Sequence, residues 1–264
     1  MNVILLSPQD LAVASALVLL DAGLSVMLRL GIHRQILWAA LRMVVQLIAV
    51  GYLLRFIFSL NSPAATLGII IVMALIAARE IAVRPNRRFK GFDGYALSAV
   101  SVFLATFVTA GLALSTAIRP QPWFDPRYAI PLAGIILGSV LNAGSITLDN
   151  LLGGLQRERP AIEAQLGLGV EFRDATNPLL RESVRRGLLP VINQMSAAGI
   201  ITLPGIMTGQ ILAGMDPVDA VKYQILLMFL LAGASGIAAL GVAYLALRRL
   251  TDERQRLRLD RLTD

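Results

Sequence analysis

Cysteine is absent from this chain, and histidine occurs once, at His33. Disulfides, thiolate metal centres, iron–sulfur ligation and any histidine-cluster metal site are thereby excluded. Charge is scarce: 16% of the 264 residues are charged, where soluble domains carry about 25%. Lysine is nearly missing, with Lys90 and Lys222 against a background of arginine. No G-x-x-x-x-G-K-[ST] loop occurs, so the chain cannot bind and hydrolyse a nucleotide by that route. The opening MNVILLSPQD has no basic n-region and no small-residue cleavage site follows, so a signal peptide is not expected.

What is present is apolar. Hydrophobic residues make up 56% of the chain, and the mean hydropathy is +0.69. A span needs about 20 mostly apolar residues. Seven such runs are expected, at 11–30, 36–58, 64–83, 94–117, 128–152, 190–213 and 218–247. They are too long for barrel strands and do not alternate, so the fold class is all-α, a polytopic transmembrane helical bundle. The domain reading is a single transmembrane domain over 1–264.

The net charge of +7 would suggest nucleic acid in a soluble protein. Here the arginines sit in short loops and a tail between apolar runs, so they read as orientation signals and no nucleic-acid partner is expected. Arg29 and Arg34 follow span one, and Arg84, Arg87, Arg88 and Lys90 follow span three. The segment 153–189 and the basic tail at 248–264 are also arginine-rich, while the loops after spans two and four are nearly neutral. Alternation of this kind predicts an outside N-terminus and a cytoplasmic C-terminus in a cell inner membrane. Trp123, Phe124 and Tyr128 fall where an outer aromatic belt would lie.

Ionisable groups inside a span cost about 2.5–3.5 kcal/mol on insertion scales, so each should meet a partner or a cavity. Asp21 and Arg42 lie at similar depth on neighbouring antiparallel spans and are expected to pair, as a structural ion pair or as pathway lining. Gln46 shares the face of Arg42 one turn away. Glu80 and Arg84 suit a helix-end ion pair. Span five, with Gly138, Ser139, Asn142, Gly144 and Ser145, suits close helix packing or a polar pathway. Met195, Met207, Met215 and Met228 fall in or beside the last two spans. Thioethers suit cuprous better than ferrous ions, and methionine is also a common apolar filler. Asn193 and Gln210 add oxygen donors, with no readable metal cluster.

Two segments stand apart. Residues 153–189 are too polar to span and too long for a turn. Gly153 and Gly154 are expected to break the chain, and two short amphipathic helices should follow, on the headgroups or as a docking element for a cytoplasmic partner. The stretch PGIMTGQILAG, 204–214, places Pro204 inside an expected span, where it should kink the helix. Gly205 and Gly209 form a GxxxG pair that permits close contact, and Thr208 and Gln210 can satisfy freed backbone groups or meet cargo.

The run LLPVINQMSAAGIITLPGIMTGQILAG, followed by YQILLMF, resembles the FetB family of ABC-transporter permeases. PLAGIILGSVLNAGSITLDNL, EAQLGLGVEFRDAT and REIAVRP resemble it too, so the likeness covers about 28–229. Ile206 stands where the family pattern has methionine, and Ser139 and Leu141 where it has asparagine and methionine. Isoleucine cannot ligate a metal. The resemblance implies a non-enzymatic half-transporter: two copies of this chain with two copies of a separate ABC ATPase, which would use ATP and magnesium. Docking then falls to Glu163, Leu166, Gly169 and Glu171. The implied cargo is iron or another metal ion, with an organic or nucleotide-sugar cargo as the alternative. An ion-gradient-driven secondary transporter and a non-transporting scaffold remain open from the residues themselves.

Overall fold

The structure, a computed structural model, describes residues 7–60, 62–118, 122 and 125–263. Among them the elements are helical: α1 (Pro8–Met27), α2 (His33–Leu60), α3 (Pro63–Val83), α4 (Asp93–Leu112), α5 (Pro126–Arg157), α6 (Arg159–Gly167), α7 (Phe172–Ala197), α8 (Gly205–Leu212) and α9 (Pro217–Arg249). A π-helical turn, Ala113–Ile118, prolongs α4, and a 3-10 turn, Leu259–Arg261, sits in the tail.

A shared local signal starts four of these helices. Ser7, Ser62, Asp125 and Asp216 each precede a proline in the first turn. Proline has no N–H to lose there and its φ is already helical. Three of the preceding residues also cap with their side chains. Ser7 and Asp10 form a reciprocal box, Asp125 accepts from the Arg127 N–H at 2.9 Å, and Asp216 accepts from the Val218 N–H at 2.9 Å.

The chain divides into two compact units, 1–61 and 62–264. In the first, α1 packs on α2. Ser25 is buried and its Oγ accepts from the Ile32 N–H at 3.1 Å, which closes the connection. The most apolar windows of α1 and α2 are only 11% and 6% buried within the chain. Helices this apolar and this bare face lipid or other chains.

In the second unit α5 is central, packing on α3, α4, α7 and α9, while α9 also packs on α4 and α7. Association in a membrane depends on close packing, because lipid is as apolar as leucine. Glycines supply it. A Cβ on Gly187 of α7 would run into the Thr147 hydroxyl and lie 2.8 Å from the Ala143 carbonyl of α5. One on Gly241 of α9 would meet Ser101 of α4 at 2.9 Å, and one on Gly144 of α5 would meet Ile81 of α3 at 2.8 Å. The α9 face against this core is a stripe of buried small residues, Ala234, Ser235, Ala238, Ala239, Ala243 and Ala246.

Several expectations change. Gly153 and Gly154 do not break α5, which continues to Arg157. A helical glycine costs only about 1 kcal/mol, and Gly154 is where Leu179 of α7 packs. Of the two short helices, only α6 exists as such. The second is the start of α7, which runs unbroken through Pro178 and Pro190. Expected span six is two helices: α7 stops at Ala197, residues 198–204 are non-helical, and α8 begins at Gly205. Among the described residues six helices are long and apolar enough to cross a membrane singly; the broken α7–α8 stretch stands where span six was expected. Pro204 is therefore no kink. It is the extended residue that precedes α8, at φ −61° and ψ 140°. The last span is one continuous helix. Tyr128 is exposed, while Trp123 and Phe124 lie outside the described residues.

The tail is an ordered clasp. Beyond α9 the chain turns back, and Phe89 and Leu262, both buried, form an antiparallel bridge. The Lys90 N–H donates to the Arg261 carbonyl at 2.8 Å and the Thr263 N–H to the Arg88 carbonyl at 2.7 Å. Arg249 pairs with Asp93 at the start of α4, at 2.8 Å. The α3–α4 loop, the α6–α7 turn and the tail thus share one end of this unit.

Gly187→Val should lower stability by about 2 kcal/mol or more, because a backbone carbonyl cannot yield to a new side chain. Gly209→Leu should not, since nothing lies within 4 Å of a Cβ there. Melting temperatures in detergent compare the two.

Candidate functional site

Three hollows of the second unit collect several of the candidate residues. The first, of about 230 Å³, lies among α5, α7 and α9. Ser139 and Asn142 come from α5, Pro190 and Gln194 from α7, and Ser235 from α9. Ser139 and Ser235 share a hydrogen bond of 2.7 Å between their hydroxyls. Pro190 has no N–H, so the Arg186 carbonyl loses its usual helical donor beside this cavity. Gly187 and Ala143, where α5 and α7 meet, also line it. The cavity gathers polar side chains from all three helices. Asn142 belongs to it, whereas Asn193 does not; its neighbour Gln194 does. A step of one residue turns a side chain by about 100° around the helix axis, which a sequence pattern cannot assign without a partner helix.

Ser145 is buried and donates to the Leu141 carbonyl at 2.6 Å, which accounts for its hydroxyl locally. Glu80 pairs with Arg84 at 3.4 Å and with Arg79 at 3.6 Å, the helix-end arrangement expected. Asp21 is exposed on α1, and Arg42 and Gln46 are exposed on α2. Among the described residues no ion pair joins Asp21 to Arg42.

The second hollow, of about 410 Å³, is built around the break in the α7–α8 stretch. Met195, Gly199, Pro204 and Met207 face Gln224 and Met228 of α9 across it. The break is a tight turn. Gly199 has φ 83°, a conformation glycine adopts readily, and its N–H donates to the Thr202 carbonyl at 2.9 Å. The Thr208 hydroxyl donates back to the Pro204 carbonyl at 3.2 Å, the backbone role anticipated for it. Gly205 and Gly209 are exposed with open space beside them, so within this chain they make no close helix contact. The Gln210 Oε1 is buried without a hydrogen-bond partner among the described residues.

The third hollow is a cleft of about 730 Å³ at the arginine-rich end. Glu163, Leu166, Gly169 and Glu171 form one wall and Glu253–Leu257 of the tail the other. Gly169 turns the chain from α6 to α7 at φ 89°. The first N–H of α7, on Phe172, has no intrahelical acceptor; Gln255 Oε1 of the tail accepts it at 2.8 Å. The tail was absent from the expected docking set because nothing in residues 248–264 signals this tertiary cap. Arg256 and nearby backbone N–H groups hold Asp252 down to about 2, from an ordinary 3.8. Arg258 holds Asp260 down to about 2 in the same way.

Long apolar helices, a small-residue core and charge confined to helix ends define a multi-pass α-helical membrane protein. The chain belongs to the uncharacterised protein family UPF0014, which it matches over residues 8–251. It is 38% identical over 228 residues to the UPF0014 membrane protein slr1647 of Synechocystis, covering 86% of this chain and 87% of that one. It is 33% identical over 250 residues to the "Probable iron export permease protein FetB" of Escherichia coli, covering 94% of each chain. It is 28% identical over 234 residues to the Arabidopsis protein ALUMINUM SENSITIVE 3, covering 89% of this chain and 84% of that one. No solved structure matches it.

The depressed Asp252 carboxylate, held by Arg256 and by the N–H groups of Arg256 and Arg254, supports the local turn of the tail. A folded value below the unfolded one contributes stability that is present above 3.8 and lost as pH falls through about 2. With no native cysteine, Arg254→Cys offers one labelling site. A fluorophore there should report an unchanged tail turn from neutral pH to about 4 and its progressive loosening as pH falls from about 4 to about 2.

Proposed function

We propose that this chain is the permease subunit of an ATP-driven exporter of the ABC type, carrying iron or another metal ion. The observation that carries the reading is the full-length likeness to a relative named as an iron export permease, over 94% of both chains. Residues 1–264 act as one permease domain of a cell inner membrane, N-terminus outside and C-terminus cytoplasmic. The polar cavity among α5, α7 and α9 suits a cargo path, since polar groups at that depth are costly unless used. The α7–α8 break beside it suits a gate, because non-helical backbone at membrane depth belongs in protein or against a wet cavity.

The cleft between the α6–α7 turn and the tail is where a separate ATPase would dock, and ATP and magnesium would be used by that partner. The chain would work as two copies, in contact with lipid along α1 and α2. Purified chain reconstituted with and without a separately expressed ABC ATPase from the same organism tests the energy source. ATP-dependent metal efflux only with the ATPase is the expected result; gradient-driven flux by the chain alone would overturn it. Unchanged cellular iron and unchanged iron-driven oxidative sensitivity after gene deletion would overturn the iron assignment and leave an organic or nucleotide-sugar cargo.

Asn142→Leu and Gln194→Leu should each lower export by more than about tenfold, some 1.4 kcal/mol in the barrier. Asn193→Leu should change it by less than about twofold, with vesicle efflux as the readout. Glu163→Arg combined with Gln255→Ala should abolish ATPase co-purification while the melting temperature of the permease stays within a few degrees of the parent.

A further inference from the structure

The hollow at the α7–α8 break has a chemistry of its own. Three methionines, Met195, Met207 and Met228, line it from three different helices. Met228 is only 6% exposed. Gln224 lines the same hollow, is 7% exposed, and buries its Oε1 with no hydrogen-bond donor among the described residues. A buried amide oxygen left without a donor costs about 1–3 kcal/mol. Methionine as filler explains one thioether against an apolar wall, but it does not explain an unpartnered carbonyl among three of them. A cation supplies what the oxygen lacks.

The donor set selects the ion. Thioethers are soft ligands and favour cuprous-type ions over hard ones. Hard divalent ions want several carboxylate, carbonyl or water oxygens. Among the described residues no group of three His, Cys, Asp or Glu side chains could hold such an ion. The hollow is large enough, at about 410 Å³, and its wall includes the non-helical turn at Gly199 and Pro204. Binding would therefore tie α7, α8 and α9 together across the break.

We propose that Met195, Met207 and Met228, with the Gln224 Oε1, form a binding site for a soft monovalent cation of the cuprous or silver class. The site shares no lining residue with the polar cavity at Asn142 and Gln194, and it does not depend on the ATP-driven reading or on iron as cargo.

The test uses the full chain in detergent and silver ion as the probe, free of chloride and thiols. Calorimetric titration should give one silver per chain, and silver-edge X-ray absorption should show sulfur scatterers. The combined variant Met195→Leu, Met207→Leu, Met228→Leu should weaken binding by at least about tenfold, as loss of metal-site groups generally does. Leucine conserves volume, and a melting temperature close to the parent's verifies the fold. Gln224→Leu should weaken binding by a smaller factor, and Met43→Leu, on α2, should not change it. Absence of stoichiometric binding, equal affinity in the triple variant, or scatterers of nitrogen and oxygen alone would overturn the proposal.

Discussion

The contact between α5 and α7 at Gly187 is the constraint on which the second unit depends. There the backbone of α7 comes so near the Ala143 carbonyl and the Thr147 hydroxyl that no side chain fits. In a hydrocarbon medium the helices gain nothing by hiding apolar surface from water, so close approach and its dispersion contacts hold them together. A cavity opens beside the same contact, and Gly187, Ala143, Pro190 and Gln194 all line it. Packing and polar site are therefore one feature.

The two interruptions of the apolar pattern do different work. The 198–204 break ends α7 in a glycine-dependent turn and starts α8 at an extended proline. It exposes Ile200 and Ile201 at 89% and 80%, side chains suited to lipid or a second chain. The tail does the reverse and buries its apolar residues, Leu250 and Leu262, against the arginine-rich end. Through Gln255 it also caps α7, so the helix that carries the polar cavity begins on a residue held by the last segment of the chain.

Much of the fold was legible because membrane helices obey strong local rules. Length and apolarity located the six long apolar helices, while α7, Phe172–Ala197, was divided between an expected surface helix and an expected span; the Glu80–Arg84 pair followed from i, i+4 spacing alone. The readings of glycine and proline failed in both directions. Gly153 and Gly154 looked like breaks and sit inside α5, where Leu179 packs on Gly154 and outweighs a propensity of about 1 kcal/mol for glycine. Pro204 looked like a kink and lies outside any helix. Asn142, Met195, Pro204 and Met207 were identified as candidates from residue type, but into which hollow each falls depends on helix rotation. Gln194, Ser235 and Gln224 were missed because a single polar residue in a long apolar run carries no periodic signal until its neighbours are known.

What the sequence by itself determined is the medium and the class of fold: too little charge and too much apolar length for anything but membrane helices, with arginine assigning their ends. What only the tertiary structure decided is where those helices stop and which polar groups meet. A helix end is set by whether some other segment can satisfy its orphan N–H and C=O groups. A cavity is set by which two backbones approach most closely. Both depend on residues far apart in the chain: Gln255 with Phe172, and Gly187 with Thr147.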